Sequence, residues 1–192
     1  AAACKSPSSC MFNPIKIKGG EIFKQLAIAY PNEQFGVVPG WDCLKEINSN
    51  HFSIRLIERV AKSLGLKYDN TLPQVVDFSN LSNVEYLDPN YSVGDIYSRT
   101  QILVVPSQWN EAFGRVALEA MCLGIPVIAS GVYGLKEAVG NGALIVEEYD
   151  NINHWIDALY KIRNLEFRTD LIKRGYQRVQ KYSLEENIFL IL

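Results

Sequence analysis

The chain has 192 residues, of which 48% are hydrophobic and 21% are charged, so it can bury one core of ordinary size. Its formal net charge is −2 and it has no lysine- and arginine-rich run, which argues against a nucleic-acid ligand. The apolar runs are far shorter than the roughly 20 residues that a membrane-spanning helix needs, so we expect a cytoplasmic globular domain.

The first residues, AAACKSPSSCMF, lack the charged and apolar regions of a signal peptide. We interpret residues 1–12 as a linker and residues 13–192 as a single domain. The four cysteines, Cys4, Cys10, Cys43 and Cys122, do not have metal-ligand spacing. They are expected to be free thiols in a reducing compartment, although Cys4 and Cys10 could pair across a small loop.

Apolar periodicity predicts strands that alternate with helices along the chain. Helices are expected over residues 19–30, 52–64, 94–98, 152–162 and 171–182, and strands over residues 35–38, 84–87, 102–105, 127–129 and 144–146. A further helix is expected after the strand at 102–105, and a short one opens at Glu137. This alternation predicts an α/β fold, a Rossmann-like parallel sheet with helices on both faces.

The segment at 106–130, PSQWNEAFGRVALEAMCLGIPVIAS, carries the main functional signal. Phe113 and Gly114 stand at its helix start, where unpaired N–H groups and the helix dipole favour a phosphate and a glycine lets the ligand approach. Glu119 lies one to two turns into the helix and leans back toward its N-terminus, so its carboxylate can reach a ribose diol. Glu111 precedes the helix and is better suited to hydroxyls of a sugar. The motif therefore predicts a site for sugar, phosphate and ribose in that order.

The run Glu111-Ala-Phe-Gly-Arg-Val-Ala-Leu-Glu119 resembles the Glu-x7-Glu signature of group 1 retaining nucleotide-sugar glycosyltransferases, which have the two-domain GT-B architecture. Val-Pro-Ser before it, Leu-Glu-Ala-Met within it and Gly-Ile-Pro-Val-Ile-Ala-Ser after it are also similar to that family. The similarity covers residues 13–147 and is weaker between 41 and 83. It implies that the chain is the C-terminal, donor-binding half of a GT-B enzyme, and that the N-terminal acceptor domain is absent.

The resemblance also implies roles for individual residues. Glu111 is the catalytic candidate. Lys18, which directly precedes a glycine, aligns with a lysine that holds the donor diphosphate, although a solvated lysine would also fit the sequence. Asn13 stands where the family has an arginine, so a neutral amide replaces a cationic fork unless Lys16 turns inward. The remaining expected donor contacts are Asp88, Asn90, Phe113, Gly114, Arg115 and Glu119.

Two positions leave alternatives open. Asp88 and Asn90 either meet the base or form an ordinary turn. Tyr133-Gly134 replaces a Gly-Gly pair of the family, so the ring of Tyr133 either closes over the sugar or faces solvent.

The resemblance implies transfer of a sugar from a nucleotide diphosphate donor to a glycan, a lipid or a small molecule, with retention at the anomeric carbon. It implies neither a metal nor another cofactor. Any peripheral membrane contact would be made through the absent half, and the isolated chain is expected to be inactive. The alternatives are a non-catalytic nucleotide-sugar-binding module and a GT-B nucleotide-sugar epimerase. Oxidoreductases and P-loop nucleotidases are disfavoured because their glycine motifs do not occur.

Overall fold

The computed structural model describes residues 8–40, 74–88 and 90–183. Within these ranges strands and helices alternate. The strands are β1 (Ser9–Phe12), β2 (Phe35–Val38), β3 (Val84–Tyr86), β4 (Ile102–Val105), β5 (Val127–Ser130) and β6 (Leu144–Val146). The helices are α1 (Gly20–Ala29), α2 (Val93–Ser98), α3 (Arg115–Cys122), α4 (Tyr133–Val139), α5 (Ile152–Lys161) and α6 (Leu165–Ser183), with 3-10 turns at Lys16–Lys18 and Gly140–Gly142.

The six strands form one parallel sheet in the order β3-β2-β1-β4-β5-β6. Strand β1 lies in its centre, and Ser9 is paired with Phe35 of β2 on one side and with Ile102 of β4 on the other. The strand order reverses between β1 and β4. In open α/β sheets, a crevice outside the carboxyl ends of the strands at such a reversal is where ligands bind.

The core lies in two layers, one on each face of the sheet. Because side chains alternate along a strand, Val104 of β4 joins the layer under α1 and α5, whereas Leu103 and Val105 join the layer under α2, α3 and α4. Helix α6 contributes Leu171 to the first layer and Val179 to the second. The predicted Rossmann-like parallel sheet with helices on both faces is confirmed.

Strand β1 corrects the predicted start of the domain. The interpretation of residues 1–12 as a linker is wrong for Ser9–Phe12, which form the central strand with Cys10 and Met11 buried. The sequence hides this strand because only three apolar residues follow a polar stretch, too few to show a period. Cys10 is a free thiol, and burial raises its pKa to about 11, whereas Cys4 lies outside the described residues.

Most of the other predicted elements agree with the structure, and β2, β4 and β6 have the predicted bounds. Helix α6 begins at Leu165, whereas the predicted helix began at residue 171. The prediction missed the first turns because they are largely polar and show no apolar stripe. Helix α4 begins at Tyr133, so Glu137 lies within it and does not open it. The helix predicted over residues 52–64 lies outside the described residues.

Candidate functional site

Two loops interlock at the carboxyl ends of β1 and β4. The backbone N–H of Gln108 donates to the carbonyl oxygen of Ile17 at 3.0 Å. Gly19 has a φ of 81°, and a Cβ atom at this position would lie 1.9 Å from the carbonyl oxygen of Pro106. Only glycine fits such a conformation and approach. The loop after β1 is therefore held directly against the loop after β4.

This interlock brings Lys18 to Glu111. The Lys18 ammonium forms an ion pair with Oε1 of Glu111, and the side chains are 28% and 17% exposed. The second carboxylate oxygen, Oε2, is buried and has no hydrogen-bond partner among the described residues. A buried acceptor without a partner is costly, so Oε2 is suited to accept a hydrogen bond from a ligand or from water. The sequence predicted both residues for the site but did not predict their contact.

A cavity of about 200 Å³ opens beside this ion pair. Its polar lining consists of Asn13, Lys18, Ser107 and Glu111. Ser107 is fully buried, and its hydroxyl also lacks a hydrogen-bond partner in the ranges that the structure covers. The backbone of Ser107 is fixed, because its carbonyl accepts a hydrogen bond from the Ser130 hydroxyl at 2.6 Å. The cavity thus offers a cation, an amide and two unpaired oxygen atoms to a polar ligand.

Asn13 lines the cavity at the position predicted for it. Its φ of 55° is left-handed, a conformation that asparagine tolerates better than most residues. Its N–H donates to Val38 at 2.8 Å, which fixes the loop to the end of β2. Lys16 is exposed and does not line this cavity, so it does not turn inward to take the place of an arginine.

Helix α3 begins beside the same loops. Gly114 precedes it with a φ of 67°, and a Cβ atom there would lie 2.3 Å from Cδ1 of Leu135. The first N–H groups of a helix have no acceptor within it, so the start of α3 can bind an anion. The Phe113 ring packs edge-on against Tyr182 with centroids 5.5 Å apart, so its side chain takes part in packing with α6.

Helix α4 packs against the backbone of Glu111. A Cβ atom at Gly134 would lie 2.0 Å from the Glu111 carbonyl oxygen, so α4 packs directly under the loop. The neighbouring Tyr133 is 82% exposed, and its ring faces solvent. Trp109 is 56% exposed in the loop after β4.

The Glu119 carboxylate is engaged on both oxygens. Its Oε2 accepts a hydrogen bond from the Tyr97 hydroxyl at 2.9 Å, and its Oε1 lies 3.2 Å from Nε of Arg115. Arg115 is 73% exposed, whereas Tyr97 is 3% exposed. Tyr97 could not be predicted as a site residue, because no spacing rule connects a tyrosine in α2 with a glutamate in α3. Its only signal is the apolar pair Ile96-Tyr97 in a short helix.

Asp88 and Asn90 follow β3, which lies two places from β1 in the sheet. Asn90 donates from its backbone N–H and its Nδ2 to Oδ1 of Asp88, at 2.8 and 2.9 Å, as in a turn stabilised by an aspartate. The structure does not place them on the cavity lined by Lys18 and Glu111.

Among the described residues, no group of three or more His, Cys, Asp or Glu residues is arranged to hold a metal ion. No helix in the same ranges is long and apolar enough to cross a membrane.

Curated relatives match part of this chain. D-inositol 3-phosphate glycosyltransferase of Mycolicibacterium smegmatis is 34% identical over 107 residues, which is 53% of this chain and 24% of the relative. The enzyme of the same name from Geodermatophilus obscurus is 35% identical over 126 residues, or 65% of this chain and 24% of the relative. The chain therefore spans about a quarter of the length of these relatives.

Solved structures share the fold over nearly the whole chain. Sucrose-phosphate synthase from Thermosynechococcus elongatus superposes with a TM-score of 0.63 at 27% identity, covering 92% of this chain and 41% of that protein. Anabaena HepE in complex with UDP-glucose superposes with a TM-score of 0.61 at 18% identity, covering 91% of this chain and 44% of that protein. The chain thus corresponds to one domain of these larger proteins.

Residues 76–178 match the family described as glycosyl transferases group 1, over more than half of the chain. The matched range runs from the segment before β3 into α6, and it contains both glutamates of the signature. The chain therefore belongs to the group 1 glycosyltransferases and is a single Rossmann-like domain of their GT-B architecture.

Proposed function

We propose that this chain is the donor-binding domain of a retaining glycosyltransferase that moves a sugar from a nucleotide diphosphate-sugar to a glycan, a lipid or a small molecule. The observation that carries the proposal is the Lys18–Glu111 ion pair, which lies beside the start of α3 on a cavity with unpaired buried oxygen atoms. An anion site and a hydroxyl site thus adjoin at the strand-order reversal.

The diphosphate would bind between Lys18 and the first N–H groups of α3. A diphosphate carries more negative charge than one carboxylate, so it can draw the lysine away from Glu111. Gly114 leaves the backbone accessible, and the helix dipole favours the negative charge. Asn13 adds a neutral amide to the same cavity.

The sugar would bind at Glu111. Once Lys18 turns to the diphosphate, both carboxylate oxygens of Glu111 can accept hydrogen bonds from sugar hydroxyls, and the buried Ser107 hydroxyl can add another. This places the catalytic candidate next to the bond between the sugar and the diphosphate. The ribose would then lie at Glu119, on the other side of the phosphates.

Titration calorimetry with a panel of nucleoside diphosphates and their sugars tests these roles. HepE was solved with UDP-glucose, so UDP and UDP-glucose are the first pair to measure. A hydrogen bond to a charged group is worth about 1.5 to 3 kcal/mol, or about tenfold or more in affinity. Glu119→Gln should therefore weaken the binding of UDP and of UDP-glucose alike. Glu111→Gln should chiefly remove the difference in affinity between UDP and UDP-glucose.

Glu166→Gln is the matched control, because this glutamate is exposed in the first turn of α6 and should leave both affinities unchanged. Equal losses for both ligands in both site variants would show that the two roles are misassigned. Failure of the parent chain to bind any member of the panel would overturn the proposal itself.

A further inference from the structure

The Glu119 carboxylate is held from two sides in the ligand-free domain. The Tyr97 hydroxyl donates to Oε2 at 2.9 Å, and Arg115 Nε lies 3.2 Å from Oε1. A carboxylate has about four lone-pair sites. These two contacts occupy one site on each oxygen, so each oxygen retains one site. The two oxygens of Glu119 can therefore accept one hydrogen bond each from two neighbouring hydroxyl groups.

The two holding residues differ in rigidity. Arg115 is 73% exposed, so water competes for its contact with Glu119, and exposed ion pairs of this kind contribute little. Tyr97 is 3% exposed, and its ring packs against Phe12 with centroids 5.4 Å apart. The buried tyrosine is therefore the fixed partner of the carboxylate.

The protonation of Tyr97 suits this role. Burial and the neighbouring charge of Glu119 raise its pKa well above the ordinary range, so the hydroxyl keeps its proton. That proton has two acceptors, Glu119 Oε2 at 2.9 Å and the Val116 carbonyl oxygen at 3.1 Å. The carboxylate is nearer and charged, so it is the stronger acceptor.

We infer that Tyr97 is a positioning residue, which aims the Glu119 carboxylate so that both of its oxygens can accept hydrogen bonds from the 2′- and 3′-hydroxyls of the donor ribose. This inference rests on the proposed function, which places the ribose at Glu119. The ring of Tyr97 also contacts Phe12, which lines the cavity beside Lys18 and Glu111.

The test compares the nucleoside diphosphate that the parent binds best with its 2′,3′-dideoxy form. The parent should prefer the ribose form about tenfold or more, as expected for hydrogen bonds to a charged group. Tyr97→Phe removes only the hydroxyl and should reduce this preference to within about twofold. The affinity for inorganic pyrophosphate should stay unchanged, which shows that the phosphate site is intact.

Tyr182→Phe is the matched control. A second cavity, of about 220 Å³, is lined by Tyr97, Glu119 and Tyr182. The Tyr182 hydroxyl, however, accepts from Arg178 and donates toward the Ala138 carbonyl oxygen, so its loss should keep the ribose preference. The double variant Tyr97→Phe/Glu119→Gln adds a second criterion, because the effects of two substitutions are not additive when one residue acts through the other. The double variant should have the same preference as Glu119→Gln alone.

Each outcome separates the two proposals. A parent that shows no ribose preference overturns the assignment of Glu119, and the inference falls with it. A preference that Glu119→Gln abolishes but Tyr97→Phe retains overturns the inference alone. If Tyr97→Phe does not fold, the variant Glu119→Asp replaces it in the test. The shorter side chain keeps the negative charge but moves the carboxylate away from the Tyr97 hydroxyl. A ribose preference retained by Glu119→Asp would then overturn the inference.

Discussion

For single residues, the proposed diphosphate site depends chiefly on Lys18. Lys18 is paired with Glu111 in the structure, and Asn13, at the position expected for an arginine, supplies no charge. We therefore expect the attraction for a diphosphate to rest on Lys18 together with the start of α3. A site that depends on one side-chain cation should be unusually sensitive to its removal.

Lys18→Met is the sharpest test of this dependence, because it keeps the aliphatic stem and removes the charge. A charge-assisted contact is worth about 1.5 to 3 kcal/mol, so nucleoside diphosphate affinity should fall about tenfold or more in calorimetric titration. Raising the salt concentration should weaken the parent more than the variant, since screening acts on the lysine charge.

Lys16→Met is the control for this prediction. Lys16 is exposed two residues earlier in the same 3-10 turn and does not line the cavity. Its variant should bind like the parent at every salt concentration. Equal affinity of Lys18→Met and the parent at low salt would show that the diphosphate binds elsewhere.

Much of the candidate site was predictable from sequence, for a physical reason. Lys18, Glu111 and Glu119 stand in local motifs beside a helix start, and such motifs act over a few residues. Ser107 and Tyr97 could not be found in this way, because their importance comes from burial and from contacts between elements. The contact of Lys18 with Glu111 likewise depends on two loops far apart in sequence.

At the scale of elements, strands with continuous apolar runs were predicted well and short or polar elements were not. Strand β4 reads Ile-Leu-Val-Val and is fully buried, as a strand covered on both faces requires. Strand β1 has the sequence Ser-Cys-Met-Phe, and its position in the sheet is set by its pairing with β2 and β4. The first turns of α6 are stabilised by Asn164, whose Oδ1 accepts from the Phe167 N–H at 2.9 Å, and by the packing of Phe167 on the core. Neither contact appears in a hydrophobic period.

The interlock of the two site loops gives a prediction at the same scale. Gly19→Ala forces a Cβ atom to within 1.9 Å of the Pro106 carbonyl oxygen and strains a φ of 81°. Left-handed strain costs about 1 to 2 kcal/mol and overpacking about 1 to 3 kcal/mol, so the free energy of unfolding in urea should fall by about 3 kcal/mol.

Gly94→Ala is the matched control for the loop prediction. A Cβ atom at Gly94 meets only the Ser92 hydroxyl, at 3.8 Å, in the first turn of α2. Alanine favours a helix over glycine, so this variant should be as stable as the parent or slightly more stable. A Gly19→Ala protein of unchanged stability would mean that the loops can separate without cost.

Taken as a whole, the chain matches one part of larger proteins. It covers 41% of the sucrose-phosphate synthase structure and 44% of the HepE structure, although nearly all of its own length is matched in each. Transfer requires a donor and an acceptor held together in a reactive arrangement. The roles proposed for the described residues concern the donor alone.

We therefore expect the purified 192-residue chain to bind a nucleoside diphosphate but to transfer no sugar. The measurement is release of labelled sugar from UDP-glucose to a set of glycan, lipid and small-molecule acceptors, alongside calorimetric titration of UDP. Sugar transfer above the background of an enzyme-free mixture would contradict this expectation. Binding of UDP without transfer would agree with the expectation.

The central position of β1 has a consequence for how the chain reaches its fold. Strand β1 is made before β4, yet Ser9 pairs with Ile102, which emerges much later. Bringing β1 to β4 closes a long loop, and the loss of chain entropy comes before the contacts that offset it. Pairings between strands distant in sequence therefore slow folding. Strands β4, β5 and β6 follow one another and can associate first. Until β1 inserts, β2 and β4 each expose an open edge, and such edges invite association between chains. Insertion of the first strand is thus expected to be a late step in folding and the step most exposed to aggregation.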